Sequence, residues 1–306
     1  MQVSISAKSK RPQRMGCLSG CLWYSLGWSV VWVGILGVLW LLWKLFPLPP
    51  TNILLLGLDR RPDEGMVSRT DSLLLLHLSP DGSLNLLSIP RDLWLDIPGY
   101  GEQRINTAHF FAEANQAGSG PSTAVAAVAQ NFELAVPYYA RVDFAGFEAV
   151  IDAAGGVEVQ ITEEIYDTEY PTADYGVMTV QFSPGLQHLN GEQALQYARV
   201  RHGSTDFARA QRQQQVIIAF LGQMQQAQNW WRLPQVLRTL RQVVTTNLNS
   251  WQMLRVAAQA LQNLSNVQHF VLDENYVQPY TTSSGAAILL PLFDKINPLL
   301  HTYFGK

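Results

Sequence analysis

The chain is 306 residues long, 47% hydrophobic and only 15% charged, with a formal net charge of −3. All 24 acidic residues lie beyond residue 50, where they outnumber the 16 arginines and lysines, and this negative balance argues against a nucleic-acid partner. Six scattered histidines (His77, His109, His188, His202, His269 and His301) show no metal-ligand spacing, and there is no Gly-x-Ser-x-Gly elbow or Walker loop, which sets aside zinc-hydrolase, serine-hydrolase and P-loop chemistry.

Residues 1–16 carry Lys8, Lys10, Arg11 and Arg14 and no acid. No charge then occurs until Lys44, and the apolar run 17–46 exceeds the roughly 20 residues that span a bilayer. A single transmembrane helix is predicted there, with the basic tail in the cytoplasm by the positive-inside rule and Trp23, Trp28, Trp40 and Trp43 near the two headgroup boundaries. The run ends in a Pro-rich linker, 47–51, instead of a small-residue cleavage site, so it should remain as an anchor that holds residues 52–306 outside the cytoplasm. Leu18-Ser19-Gly20-Cys21 resembles a lipoprotein box but precedes the apolar run. Cys17 and Cys21 are the only cysteines, so the exported part must be held by its core, without disulfides.

Beyond the linker, residues 52–58 and 72–78 are continuous apolar runs of strand length, the pattern of strands buried on both faces. Pro80-Asp81-Gly82 is turn chemistry, which makes 83–89 a third strand in a hairpin with the second. Asp143 should cap a helix to residue 154 that Gly155-Gly156 stops, and 157–161 alternates like a strand. Asn190 opens a helix, Asp206 a long one through 226, and further helix follows Trp230, with Ser250 capping 251–264 and a late strand at 269–272. The expectation is an α/β domain, a mixed central β-sheet flanked by helices.

That map brings charges together. The first strand ends at Asp59-Arg60-Arg61, the second begins just after Arg69-Thr70-Asp71, and the third returns to the same sheet edge with Pro90-Arg91-Asp92. Fourteen of the 16 basic residues beyond residue 50 are arginines, whose planar fork grips phosphate or carboxylate with two hydrogen bonds. Arg199, Arg201, Arg209 and Arg212 crowd into one segment, and Arg209, Arg212, Gln213, Val216, Ile217 and Phe220 share one helix face, so these arginines should look into a cleft near a helix N-terminus that favours anions. Arg199 and Arg201 would point the same way if the chain is extended after Tyr197, which is expected. Ordinary ion pairs are one reading. Buried pairs stabilise poorly, however, and the convergence suits a phosphate ester or pyrophosphate shared between guanidiniums and a divalent cation, for which Asp59 and Asp71 are placed.

Seven ordered blocks carry a resemblance: Gly57-Leu58-Asp59-Arg60, Ser68-Arg69-Thr70-Asp71-Ser72, Ser88-Ile89-Pro90-Arg91-Asp92, Arg104-Ile105-Asn106, and three further blocks at residues 152–159, 189–201 and 206–214. Together they resemble the signatures of the LytR–CpsA–Psr family, over a motif core of 52–222, with 223–306 left as helical completion of the domain. The resemblance implies a membrane-anchored enzyme that transfers a phosphoglycan from a polyprenyl-pyrophosphate carrier to peptidoglycan or another envelope acceptor, with Mg²⁺ or Mn²⁺ at the pyrophosphate. It implies Asp59 and Asp71 as metal ligands and Arg69, Arg91, Arg199, Arg201, Arg209 and Arg212 as pyrophosphate contacts, with Arg60, Asp92 and Gln213 in support. Arg69, Arg91, Asp92, Arg199 and Arg201 would be the catalytic set; Asp92 or solvent could deprotonate the acceptor hydroxyl, and the sequence assigns no base. The partners implied are the lipid-linked glycan, the envelope acceptor and the lipid bilayer. The Ala-rich stretch 122–132 and the helix 144–154 would leave room for the lipid. Residues 107–121 depart from the family pattern and read as a loop at the substrate entrance. The same residues would also serve a polyprenyl-pyrophosphate phosphohydrolase or a non-catalytic, glycan-binding regulator.

Overall fold

The computed structural model describes residues 28–29, 31–34, 37, 49–60, 65–79, 82–172, 176–200 and 206–305. Within the expected span, residues 28–29, 31–34 and 37 are helical, and Trp28, Val31, Trp32 and Val33 are exposed. The rest of 17–46, the basic tail 1–16, and Arg61, Pro80, Asp81 and Arg201 lie outside the described residues. Among the described residues no helix is long and apolar enough to cross a membrane.

The unit that begins at Leu48 opens with three antiparallel strands, β1 (Thr51–Leu58), β2 (Thr70–Leu78) and β3 (Leu84–Ile89). A hairpin of β4 (Trp94–Ile97) and β5 (Gly101–Arg104) leads to α1 (Thr107–Asn115) and α2 (Gly120–Phe132). Then come β6 (Tyr138–Asp143), α3 (Phe144–Ala154), β7 (Val157–Ile161), β8 (Ile165–Pro171), β9 (Val177–Phe182), β10 (Gly185–Leu189), α4 (Gly191–Arg199) and α5 (Asp206–Gln225). A 3₁₀ turn, Ala227–Arg232, precedes α6 (Leu233–Val243), β11 (Thr245–Thr246), α7 (Ser250–Gln262), β12 (Val267–Val271), the hairpin of β13 (Val277–Thr281) and β14 (Ala287–Pro291), and α8 (Phe293–Tyr303). The main sheet is mixed, in the order β11-β6-β1-β2-β3-β12, with β6 parallel to β1 and β12 parallel to β3.

The apolar runs of β1 to β3 are continuous because both faces of the sheet are covered. Leu54, Leu56, Leu73, Leu75 and Leu87 pack with α2 and α8 through Phe132, Leu300 and Phe304. On the other side Ile53, Leu74, Leu76, Leu84 and Leu86 meet Ile217, Ile218 and Leu221 of α5 and Val256 and Ala260 of α7. The result is the expected helix–sheet–helix sandwich.

Three expectations change. Residues 107–115 form helix α1, because His109 and Glu113, one turn apart, are both buried against the sheet edge. The region 223–306 is more than helical: β11 and β12 supply both edges of the main sheet, and β13–β14 packs on β4 through a Leu93–Leu289 bridge. Helix α4 continues through Arg199, and the chain becomes extended only at Val200, with φ −51° and ψ 137°, two residues later than expected.

Gln214 ties these layers together. It is 2% exposed, and its Nε2 donates to Ser88 Oγ of β3 and to the Phe270 carbonyl of β12, both at 2.8 Å. Gln214→Ala should leave those acceptors without a donor and lower the unfolding free energy by about 1–3 kcal/mol in a denaturant titration.

Candidate functional site

The site is built where β1 ends and β2 begins. The register steps from Gly57↔Ser72 to Leu58↔Thr70, so Asp71 is the inserted residue of a bulge. A Cβ on Gly57 would lie 2.2 Å from Ser72 Oγ, so a side chain there would have to turn that hydroxyl aside. Asp71, thus turned out of the ladder, forms a close ion pair with Arg91 from the end of β3, and Arg209 of α5 comes to 3.9 Å on the same oxygen. Burial alone would lower the Arg91 pKa, but the charge and hydrogen bond of Asp71, with Asp206 and Asp92 behind it, hold it above the ordinary arginine value. Asp92 sits between Arg91 at 3.6 Å and Arg104 at 3.4 Å, and its carbonyl accepts the Leu289 N–H of β14 at 3.0 Å.

On the other side of the strand ends, Arg60 grips Asp143 through two nitrogens at 2.7 and 3.0 Å, while Asp143 also caps α3 by accepting the Gly146 N–H at 2.9 Å. Arg199 lies 3.7 Å from Asp59, with its guanidinium 4.0 Å from the Phe144 ring centre, and donates to Tyr170 Oη at 3.2 Å. These groups line a cavity of about 300 Å³ shared by Asp59, Arg60, Arg199, Tyr170, Glu148 and Glu192. A second, more open hollow of about 560 Å³ on the far side of Asp59 is lined by Arg69, whose guanidinium lies 5.8 Å from the Phe110 ring.

Of the residues singled out from sequence, Asp71, Arg91, Asp92 and Arg209 are thus joined by ion pairs into one group, and Asp59, Arg60 and Arg199 share the wall of the 300 Å³ cavity as a second, with Arg69 lining the hollow beyond Asp59. Arg201 lies outside the described residues. Arg212 is on the buried stripe of α5, as its spacing implied, but its fork closes on main-chain oxygens, donating to Tyr197 O at 3.1 Å and Val200 O at 2.5 Å. Gln213 likewise donates to Ala198 O at 3.4 Å. Both therefore bind the last carbonyls of α4, the helix that carries Arg199, and burial pushes the Arg212 pKa down. Arg212→Lys keeps the charge but loses the fork, and should cost about 1.5–3 kcal/mol of stability. Melting temperatures with and without a polyprenyl-pyrophosphate should show the midpoint lowered and the ligand-induced rise retained, whereas Arg199→Lys should lose the rise and keep the midpoint.

Sequence reasoning missed Glu148, Tyr170 and Glu192. Glu192 lies inside the block 189–201 without having been singled out, and Glu148 sits one helical turn after Phe144 on α3. Burial, then repulsion from Glu192 and Asp152, raises its pKa against the opposing pull of Arg199. Tyr170 arrives from the β8–β9 hairpin, which no local motif connects with the arginines.

A buried network braces the loop that carries Arg69. His109 Nδ1–H donates to the Ser68 carbonyl at 2.9 Å, leaving Nε2 to accept from Arg141 at 3.2 Å, and Arg141 lies 3.8 Å from Glu113. Ser68 Oγ in turn donates to the Asp59 carbonyl at 2.8 Å. Burial lowers the His109 pKa, and the charge of Arg141 adds to this against the pull of Ser68 and Glu113. Burial alone would raise Glu113, but the Gly118 and Gly120 N–H groups, both at 2.9 Å, hold it below the usual carboxylate value. The unfolded chain therefore binds the His109 proton more readily than the folded one. Stability should be complete above about pH 6.5 and fall as the pH drops toward the folded value, with Glu113 adding in the same direction at lower pH. Melting curves between pH 7.5 and 5 check this against His109→Gln, whose midpoint should depend less on pH across the imidazole range.

Asp59 and Asp71 offer two hard carboxylates from adjacent strands, the number that Mg²⁺ commonly takes when phosphate and water complete its shell. Nearby, the buried Asn106 Oδ1 has no hydrogen-bond partner, while the Asn106 main chain joins Thr70 to Arg91. Among the described residues no group of three or more His, Cys, Asp or Glu is gathered as a closed metal cage. The donor set fits a cation held jointly with a phosphate ligand.

A sequence profile described as the LytR_cpsA_psr family matches residues 48–290, and the chain belongs to that family. It is 35% identical over 201 residues to the polyisoprenyl-teichoic acid–peptidoglycan teichoic acid transferase TagU of Oceanobacillus iheyensis, a match covering 65% of this chain and 59% of that protein. The regulatory protein MsrR of Staphylococcus aureus is 34% identical over 201 residues, 64% of this chain and 56% of its own length. The chain thus spans less than two thirds of the length of the curated relatives it matches. The fold is shared with TagV of B. subtilis, at a TM-score of 0.64 and 25% identity over 83% of this chain and 96% of that one.

Proposed function

We propose that the protein transfers a phosphoglycan from a polyprenyl-pyrophosphate carrier to peptidoglycan or another envelope glycan. The reading is carried by one observation: four arginines from two strand ends and two helices meet carboxylates there, Arg91 and Arg209 on Asp71, Arg199 on Asp59 and Arg60 on Asp143. Folding alone does not call for so many half-buried charges at one place, because the desolvation of ion pairs offsets most of their attraction. The likeness to TagU, whose name describes transfer from a polyisoprenyl carrier to peptidoglycan, supports the same reading.

In this mechanism the guanidiniums receive the pyrophosphate oxygens and spread the charge that develops on them. An acceptor hydroxyl attacks the phosphorus that bears the glycan, a phosphodiester forms, and the bond to the polyprenyl phosphate breaks, so that polyprenyl phosphate leaves with the electron pair. Glu148, whose carboxyl binds a proton more tightly than usual, lines the cavity and is suited to take the hydroxyl proton. Asp92, committed to Arg91 and Arg104, is suited to orient those arginines. Asp59 and Asp71 would hold Mg²⁺ or Mn²⁺, which when bound neutralises phosphate oxygens. The segment 17–46 would anchor the site at the outer face of the plasma membrane with the N-terminus in the cytoplasm, so a reporter fused after Lys306 should be active only outside the cytoplasm.

The test uses the full chain with a polyprenyl-pyrophosphate-linked glycan and peptidoglycan, read by mass spectrometry. A glycan–phosphodiester–peptidoglycan product is expected, lost on chelation and restored by Mg²⁺ or Mn²⁺. Asp71→Asn should lower turnover by about 100-fold or more, the scale of removing one preorganised electrostatic group. Release of free phosphorylated glycan would instead mark a phosphohydrolase, and binding without any product a regulator.

A further inference from the structure

One surface of the domain plays no part in this chemistry. None of the 24 acidic residues falls between Asp206 and Asp273, yet Arg232, Arg238, Arg241 and Arg255 do, so a domain with an acid excess carries a purely basic stretch. The same stretch exposes its large apolar side chains: Trp230 by 58%, Trp231 by 69% and Leu237 by 38%, with Trp251 and Leu254 at the start of α7 also exposed.

Helix geometry explains the exposure on α6. Val236 is buried in the core with Leu233 and Leu240 packed beside it, so Leu237, Arg238 and Arg241 fall within an arc of about 100° on the opposite face. Arg232 is fixed between two partners. Its guanidinium centre lies 4.5 Å from the Trp231 ring, and its Nη1 occupies the space that a Cβ on Gly155 (φ +85°) would enter at 2.2 Å. Arg255 repeats the pairing with Trp251 at 6.0 Å. These indoles stand out in solvent with cations beside them.

Exposed tryptophans and leucines among arginines have a specific complement. Indoles favour the headgroup boundary of a bilayer, aliphatic side chains gain from its acyl edge, and arginines attract anionic headgroups. A soluble anionic glycan would match the arginines and stack on the indoles, but it offers nothing to Leu237 and Leu254. We propose that the face formed by the 3₁₀ turn and the outer side of α6 docks on the anionic surface of a lipid bilayer. Docking there would orient the anion cluster. Arg199 touches Phe144 at the first turn of α3 and Arg232 touches Gly155 at its last, so patch and cluster lie at opposite ends of one eleven-residue helix. The docking is independent of whether transfer is the reaction.

The experiment follows the full chain in nanodiscs, with Cys17→Ser and Cys21→Ser and one new cysteine, from Leu237→Cys, carrying an environment-sensitive fluorophore. In discs of phosphatidylcholine with phosphatidylglycerol, emission should shift to the blue and be quenched by spin-labelled lipid. Both effects should vanish in phosphatidylcholine alone, in high salt, and with Arg238→Glu and Arg241→Glu combined. A label from Ser284→Cys, on the exposed β13–β14 turn, should stay aqueous throughout. Circular dichroism confirms that each labelled chain is folded, and Arg238→Cys replaces Leu237→Cys if the latter is not. Equal quenching of both labels, no quenching of either, or a shift produced by soluble polyglycerolphosphate but not by lipid would each overturn the proposal.

Discussion

The site depends on where Asp71 sits. A single inserted residue in the β1–β2 ladder moves one carboxylate out of the strand and lets it receive Arg91 and Arg209, from elements more than a hundred residues apart in sequence. Without that shared anion the two guanidiniums would face each other at the same sheet edge, and α5 would lose one of its polar ties to the strand ends. Gly57 lies beside the bulge with Ser72 Oγ over its Cα, a space that a side chain at 57 could enter only if the Ser72 hydroxyl turned away. One backbone irregularity thus sets the spacing of the cluster.

A second tier of cations never reaches the cavity and still governs it. Arg212 holds the end of α4, which positions Arg199, and Arg141 belongs to the buried chain from Glu113 through His109 to Ser68, which positions the loop before β2. The arginine excess therefore divides by depth. Arg212 meets main-chain oxygens and Arg141 meets buried side chains, and both fix the framework, whereas Arg60 and Arg199 meet carboxylates at the cavity wall.

Much of this was legible in the sequence. Residues 52–58, 72–78 and 83–89 could be read as strands because burial on both faces removes alternation, and once three strands alternate in direction their terminal Asp and Arg residues must share an edge. Helix spacing placed Arg209 and Arg212 inward, but periodicity reports which face is buried and not what that face meets. That is why Arg212 reads as a phosphate ligand until the carbonyls of α4 are seen. Helix α1 was obscured by the loop-like Gly118-Ser119-Gly120 that follows it, and β11 is only two residues long. Glu148 and Tyr170 reach the cavity through the packing of α3 and the β8–β9 hairpin, long-range contacts with no short-range signature.

The double duty of Asp143 has a consequence for selectivity. Arg60 and Arg199 at the cavity wall each have a carboxylate partner, and the partner of Arg60 is also the cap of α3. Under the proposed function an incoming anion would have to displace these carboxylates, and a singly charged one that engages a single arginine would break an internal pair for little return. Only a ligand with several oxygens in fixed relation can replace many pairs at once, returning Asp143 wholly to its helix as Arg60 departs. On the proposed reading the cluster would discriminate by valence before it discriminates by shape, and ordinary monovalent anions of the surroundings would be poor competitors for it.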